Sequence, residues 1–320
     1  MIYDCFSFFN ELDVLEIRLR TLADVVDKFV LSESRFTHTG RPKPLYYQEN
    51  AARFKAFDNR IIHIVAPDPE DLQDDAQDQG PSWLRENAQR NATIDNLLPR
   101  LTDDDILLIS DLDEIPSPRA VQAACRLNCP VRFRQKMYYY FANYRNRTSP
   151  YWYGTVALPF RDFKNPRTYR HIETGSAFPS ARLAAPSASK VRALKRIKVL
   201  REGGWHFSYL GGLQMIRQKL AGIVEGGMAR SVTDQFIADC LANGYDIFLR
   251  GERYFAEPPE QGFPPALVDF PQLLYPVDDA YLRRTRMARY MASAKRLIRP
   301  LAWRILPKSI AQWLSRRVNR

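Results

Sequence analysis

Short apolar runs alternate with segments whose leucines recur every three or four residues. Ile2 to Phe9 (IYDCFSFF) predicts an opening strand; Leu12, Leu15, Leu19 and Leu22 then mark one face of a helix. Asp27 to Ser34 (DKFVLSES) predicts a second strand, so the chain begins β-α-β. A polar stretch, Thr37 to Pro44, precedes a strand at Ile61 to Ala66, and an acidic, Pro- and Gln-rich loop is expected from Pro67 to Pro81. Ser82 is placed to cap a helix with Leu84, Ala88, Asn91 and Leu98 on one face, and with Arg85 and Gln89 on another. Ile106 to Ser110 (ILLIS) has the all-apolar character of a strand covered on both sides in a parallel sheet. Alternation of this kind predicts an open α/β sheet flanked by helices.

Beyond it, Val131 to Arg145 is rich in Tyr and Phe and predicts strands, some at an edge, while Ala177 to Arg201 is basic and rich in Ser, Ala and Pro and reads as a long flexible loop. Gly203 to Gly212 (GGWHFSYLGG) leads into a helix with Leu213, Ile216, Leu220 and Ile223 in phase; another is expected from about Thr233 to Asn243, stopped by Gly244. No apolar run approaches the roughly 20 residues that cross a bilayer. The first ten residues lack the basic start and cleavage site of a secretion signal, so a cytosolic protein is expected. Four cysteines in 320 residues make no disulfide framework and are read as reduced and structural.

Charge divides the chain. The formal net charge is +11, yet the segment 283–320 holds 12 Lys or Arg and no acid, leaving the first 282 residues near neutrality. Two units follow: a body, 1–282, with a donor-side half (1–130) and an acceptor-side half (131–282), and a basic tail. In the tail Met287, Tyr290, Met291, Ala294, Leu297 and Ile298 recur at helical spacing, read as opposite the arginines, and Pro300 and Pro307 divide it into two or three short amphipathic helices. Such helices, with Trp303 and Trp313, suit an anionic membrane surface; a helical cap on the protein's own core is the alternative. Nucleic acid is not an expected partner, because the body is near neutral and its aromatics are not interleaved with basic residues.

The densest chemistry is in ILLISDLDEIP. A buried strand ends in Asp111, Asp113 and Glu114, at the carboxyl edge where ligands of open α/β sheets gather. Three acids this close repel, and a hard divalent cation such as Mn²⁺ or Mg²⁺, itself able to bridge a diphosphate, relieves the repulsion. A solvated turn capping the helix near Pro118 uses the same residues equally well. In GGWHFSYLGG the glycines allow close backbone approach and His206 offers an imidazole that could complete a metal site. His38, His63 and His171 carry weaker signals. No hydrolase elbow, Walker loop or dinucleotide fingerprint is present.

Five segments in order resemble glycosyltransferase family 17: FFNELDVLEIRLRTLADVVDKFVLSES (Phe8 to Ser34), TGRPKPLYY (Thr39 to Tyr47), WLREN (Trp83 to Asn87), DDDILLISDLDEIP (Asp103 to Pro116) and GGWHFSYL (Gly203 to Leu210). The resemblance implies a GT-A-like, nucleotide-sugar-binding sheet and an inverting transfer of N-acetylglucosamine from UDP-GlcNAc to a sugar hydroxyl. Carried onto this chain, Asp111 and Asp113 match the Asp-x-Asp, with Asp113 the expected direct Mn²⁺ ligand and Asp111 a contact to ribose or metal-bound water. Glu114 follows the pair and is, with Asp113, a catalytic candidate that could hold metal-bound water or substrate; His206 matches the family's histidine and joins Asp111 and Asp113 as a candidate metal ligand, and Trp205 beside it is a candidate donor contact. Glu33 and Arg85 are candidates for uridine and phosphate contacts. Eukaryotic members carry a membrane anchor; this chain opens directly at the first strand, so the expectation is a bacterial-type enzyme on the inner face of a membrane, extending a lipid-linked or surface polysaccharide. The catalytic base is open among Glu173, Glu225 and Asp234, of which Asp234 also fits a capping box begun by Ser231. Tyr138 to Phe141 and Tyr151 to Tyr153 could stack on sugar rings or pack an edge sheet. A metal-dependent phosphohydrolase or nucleotidyltransferase, and a non-enzymatic membrane scaffold, are the competing readings.

Overall fold

The computed structural model describes residues 1–67, 80–165, 192, 194, 197–222, 232–258 and 262–305, with the side chains of 80–83 and 294–305 left aside. Most of the two predicted loops, together with His171, Glu173, Ile223, Glu225, Ser231, Pro307 and Trp313, lies outside the described residues, as do the side chains of Ser82, Trp83 and Trp303.

The first third of the chain builds a parallel half-sheet. Strands β1 (Ile2–Ser7), β2 (Lys28–Glu33), β3 (Ile61–Val65) and β4 (Ile106–Asp111) lie in the order β3-β2-β1-β4, all parallel. Alternation along each strand assigns its side chains to two cores. Phe6, Phe8, Phe29, Leu31 and Leu108 pack against helices α1 (Leu12–Leu22) and, further along the same face, Pro118–Leu127; Tyr3, Cys5, Val30, Leu107 and Ile109 pack with Ala92, Ile94 and Leu97 at and just beyond the end of Gly80–Asp95 on the other. In chain order the helices after α1 are α2 (Tyr46–Glu49), α3 (Gly80–Asp95), α4 (Pro118–Leu127), α5 (Phe160–Lys164), α6 (Gly212–Gly222), α7 (Asp234–Asn243) and α8 (Asp279–Ile305).

Beyond β4 the sheet turns antiparallel. β8 (Tyr151–Pro159) pairs with β4, then come β6 (Val131–Tyr139), β7 (Tyr144–Asn146) and β11 (Tyr254–Ala256). Short strands β5 (Glu114–Pro116), β9 (Lys198–Leu200) and β10 (Gly204–Ser208) join beside this path. The α/β sheet flanked by helices is therefore as expected from the alternating pattern. Tyr139, Tyr140, Tyr144 and Tyr254 are buried in a third cluster under α6 and α7, Tyr138 is buried in the first core with Phe207, and Trp152 and Tyr153 remain exposed.

Several local expectations differ. Residues 198–200, read as part of a loop, form β9, because parallel pairing with Val131 to Phe133 supplies the backbone partners that a polar segment lacks by itself. α3 begins at Gly80, ahead of Ser82, and ends at Asp95, leaving Leu98 exposed while Leu97 fills the core. α7 is capped by Thr233, whose hydroxyl accepts from the Phe236 amide. The tail's first helix runs through Pro300 without a break. It packs through Tyr281 and Ala292, whereas Met287, Tyr290 and Met291 are exposed and flanked by Arg283, Arg284 and Arg286 rather than opposed to them. This part of the stripe does not pack on the core as a cap would.

Candidate active site

β4 is buried between β1 and β8 and delivers Asp111 to the carboxyl edge of the parallel half-sheet. What fixes the turn that follows is a pair of charges the hydrophobic pattern hides. Arg18, fully buried on α1, makes a two-pronged ion pair with Asp4 of β1 (2.8 and 2.6 Å). The same guanidinium donates to the carbonyls of Asp111 (3.0 Å), Leu112 (2.9 Å) and Glu114 (2.9 Å) and to the Ser110 hydroxyl. It holds the acid turn from beneath. Arg18 sits three residues after Leu15 and four before Leu22, at a core position of its helix; a charge in that phase, with an acid inside the preceding strand, was the available signal.

The second fixing element is β10, which pairs antiparallel with β5 and sets His206 opposite Glu114, while the Phe207 amide donates to the Asp113 carbonyl (2.8 Å). Gly204 makes this possible: at φ +116° it lies so close to β5 that a Cβ would stand 2.3 Å from the Ile115 carbonyl oxygen.

Each acid has its own cation. Asp113, almost fully buried, receives Lys219 of α6 at 3.0 Å and faces His206 Nε2 at 3.4 Å. Burial opposes its ionisation, but Lys219 and His206 outweigh it and hold its pKa far below the usual carboxylate range. Lys219 also meets Glu11 (3.1 Å), and burial notwithstanding, the two carboxylates push its pKa up. Asp111 lies between Arg90 of α3 (3.1 Å) and Arg192 (3.0 Å), which against the cost of burial lower its pKa to about 2. Glu114 takes four hydrogen bonds: from the Asp111 amide (3.1 Å), from Trp152 Nε1 (2.6 Å) and two from Arg192 (2.6 and 2.8 Å). Gly154 leaves room for that carboxylate, since a Cβ there would stand 2.4 to 2.7 Å from its atoms. Gly154→Ala is therefore expected to displace Glu114 and cost about 1–3 kcal/mol, read as a lowered unfolding midpoint; an unchanged midpoint would refute this packing.

Asp111, Asp113, Glu114, His206, Lys219, Glu11 and Arg90 line one cleft, with Phe8, Phe9 and Glu86 on the β1 and α3 side and Trp152, Ser208 and Tyr209 opposite. His38 is also here, bonded to Gln89 (3.2 Å), its pKa lowered by burial; sequence gave it little weight. The other candidates lie elsewhere. Glu33 is fully buried and braced by the Tyr47 amide, His63 and Lys43. Arg85 donates to the His38 carbonyl and covers Gly40. Trp205 is buried, its indole donating to the Gly262 carbonyl. Asp234 is largely exposed and paired with Arg217.

The donor set accommodates a divalent cation in one way. Among the described residues no three His, Cys, Asp or Glu side chains converge on a point, so no metal cage of protein ligands alone exists there. Asp113 and His206 offer a two-donor edge, and the His206 Nδ1 is buried without a hydrogen-bond partner. Among the described residues five carboxylates (Glu11, Glu86, Asp111, Asp113, Glu114) gather here beside Arg90, Arg192 and Lys219, an excess of acid that suits a divalent ion. Such an ion takes its remaining ligands from water and phosphate oxygens.

The human and rat β-1,4-mannosyl-glycoprotein 4-β-N-acetylglucosaminyltransferases are each 31% identical to this chain over 115 residues, and the mouse protein 30%. The matched stretch is 34% of this chain and 20% of each relative, so the chain spans about a fifth of their length. A solved structure, glucosyl-3-phosphoglycerate synthase from Mycobacterium tuberculosis in complex with Mn²⁺, UDP and phosphoglyceric acid, aligns over 84% of this chain and 91% of its own at 14% identity, with a TM-score of only 0.29. The profile of glycosyltransferase family 17 matches residues 1–181, which takes in β1 to β4, the acid turn and Trp152 but stops short of His206. With that match covering more than half of its length and running through the acid turn, the chain belongs to glycosyltransferase family 17.

Proposed function

We propose that this protein is an inverting, Mn²⁺- or Mg²⁺-dependent transferase that moves N-acetylglucosamine from UDP-GlcNAc to a hydroxyl of a glycan, a surface polysaccharide or a lipid-linked saccharide. The observation that carries the reading is the carboxylate-rich acid turn closing β4 inside the family match and fronted by Asp113 and His206. The donor sugar is taken from the names of the mammalian relatives.

Asp113 and His206 would hold the ion, whose chemistry there is to neutralise the diphosphate leaving group as the glycosidic bond breaks. Lys219, shared between Asp113 and Glu11, holds a second positive charge beside the same oxygens. Arg90 and Arg192 keep Asp111 ionised and turned toward the cleft. Glu114 has its lone pairs committed to four donors, which suits a brace for the turn better than a base free to take the acceptor proton. Asp234, tied to Arg217 and outside the cleft, is a weak base candidate.

Titration calorimetry with UDP, with and without Mn²⁺, tests the reading, followed by product analysis. Metal-dependent UDP binding and sugar transfer are expected; free sugar or phosphate released at full rate without an acceptor would point to a hydrolase, and no UDP binding at all to the scaffold.

We also infer that α8 and the basic segment lie on an anionic membrane surface. No described helix is long and apolar enough to cross a membrane. Yet Met287, Tyr290 and Met291 are exposed at i, i+3, i+4 spacing between Arg283, Arg284 and Arg286, a face whose apolar centre and cationic flanks match a lipid headgroup boundary. Replacing all three by Ser is expected to weaken sedimentation with phosphatidylglycerol vesicles about tenfold or more. Equal binding by this variant would exclude the face.

A further inference from the structure

We propose that Trp152 is the platform for a pyranose ring of the acceptor, an assignment that rests on the transferase reading. The aromatic residues noted in the sequence do not act as one group. Tyr138, Tyr139 and Tyr140 are all buried, and Tyr153, next to Trp152 on β8, alternates to the other face of its strand. Trp152 is 42% exposed and lines the cleft with Asp113 and His206.

Its orientation is fixed. The indole Nε1 donates to Glu114 Oε1 at 2.6 Å, and the ring lies against the His206 imidazole at 5.0 Å between centroids, tilted by 40°. The only polar atom of the side chain is thus satisfied inward, and what remains toward the cleft is apolar ring. The flat, electropositive C–H face of a pyranose pairs with the electron-rich face of such a ring, and a side chain with two torsions already locked loses little entropy on binding.

Position assigns the ring to the acceptor rather than the donor. The cleft is divided by the acid turn: β1, α1 and α3 lie on one side of β4, in the parallel half-sheet where a nucleotide is expected, and β8 lies on the other. A group on β8 therefore meets the sugar from across the acids. In an inverting transfer the incoming hydroxyl must arrive on the side opposite the leaving diphosphate, and the exposed part of an indole carried on β8 is the surface offered to it from beyond the acids.

The test is saturation-transfer NMR with methyl β-D-glucopyranoside as probe, on the full chain with Mg²⁺, alone and with saturating UDP-GlcNAc. Saturation of the pyranose ring protons is expected for the wild type and for Trp152→Phe, which keeps a ring while losing the bond to Glu114, and a drop of about fivefold for Trp152→Ala. The signal should survive UDP-GlcNAc. Unchanged saturation in Trp152→Ala, or no wild-type signal, overturns the proposal, and displacement by UDP-GlcNAc hands the platform to the donor and overturns the acceptor assignment. UDP binding by calorimetry is read in parallel. Equal UDP affinity in all three proteins shows an intact donor site, whereas a wild type that binds no UDP sinks the transferase reading whatever the glucoside does.

Discussion

Asp113→Asn is expected to lower sugar transfer by about 10²–10³-fold while the protein stays folded. Asp113 is the acid that Lys219 and His206 both address, and its depressed pKa shows how strongly the surroundings favour its charge. Asparagine keeps the shape and can still accept from Lys219, which retains Glu11 as a second partner, so the packing should hold. What disappears is the negative charge that would bind a cation. Two measurements separate this from a folding defect: the far-UV circular dichroism spectrum should be unchanged, and the Mn²⁺ concentration needed for half-maximal turnover should rise. Full activity at ordinary Mn²⁺ would remove Asp113 from the mechanism.

Arg18→Met is expected to destabilise the protein by about 3–5 kcal/mol, because it leaves the Asp4 carboxylate buried without its partner. Both side chains are fully buried, so water does not take over. The informative comparison is the double variant Arg18→Met with Asp4→Leu. Removing both charges should return most of the stability, since replacing a buried pair by apolar groups is often close to neutral. Activity should not return with it, because the carbonyls of Asp111, Leu112 and Glu114 lose their common donor in either variant. Urea midpoints and transfer rates measured on the same samples decide the matter. Recovery of activity along with stability would mean that Arg18 serves the fold alone.

How much of this was legible beforehand follows from range. The β-α-β opening and the ILLIS strand were readable because periodicity is a local property, and the acid turn stood out because three carboxylates after an apolar strand are conspicuous in any order. Arg18 and Asp4 were hidden by that same logic: each interrupts an apolar pattern once, and only folding brings them together. The partnership of His206 with Asp113 depends on the register between β5 and β10, two strands of three and five residues nearly ninety positions apart, and neither has a periodic signal of its own. Arg192 came from a basic, Pro-rich stretch whose composition reads as linker, so nothing nearby marked it as a partner for Asp111 and Glu114. Pro300 misled in the opposite direction: a helix that has lost one hydrogen bond can continue when its neighbours remain bonded.

The turn bearing the acids is gripped by Arg18 from within the parallel half-sheet and by β10 from the antiparallel half. It acts as a rivet through both. A swing of one half against the other would shear those bonds together, so substrate has to enter by rearrangement of side chains and surface segments above a stationary floor. Engineering of the outer half, down to wholesale exchange of its aromatic residues, should then leave the geometry of the acid turn as it is, provided β5 and β10 are kept in step.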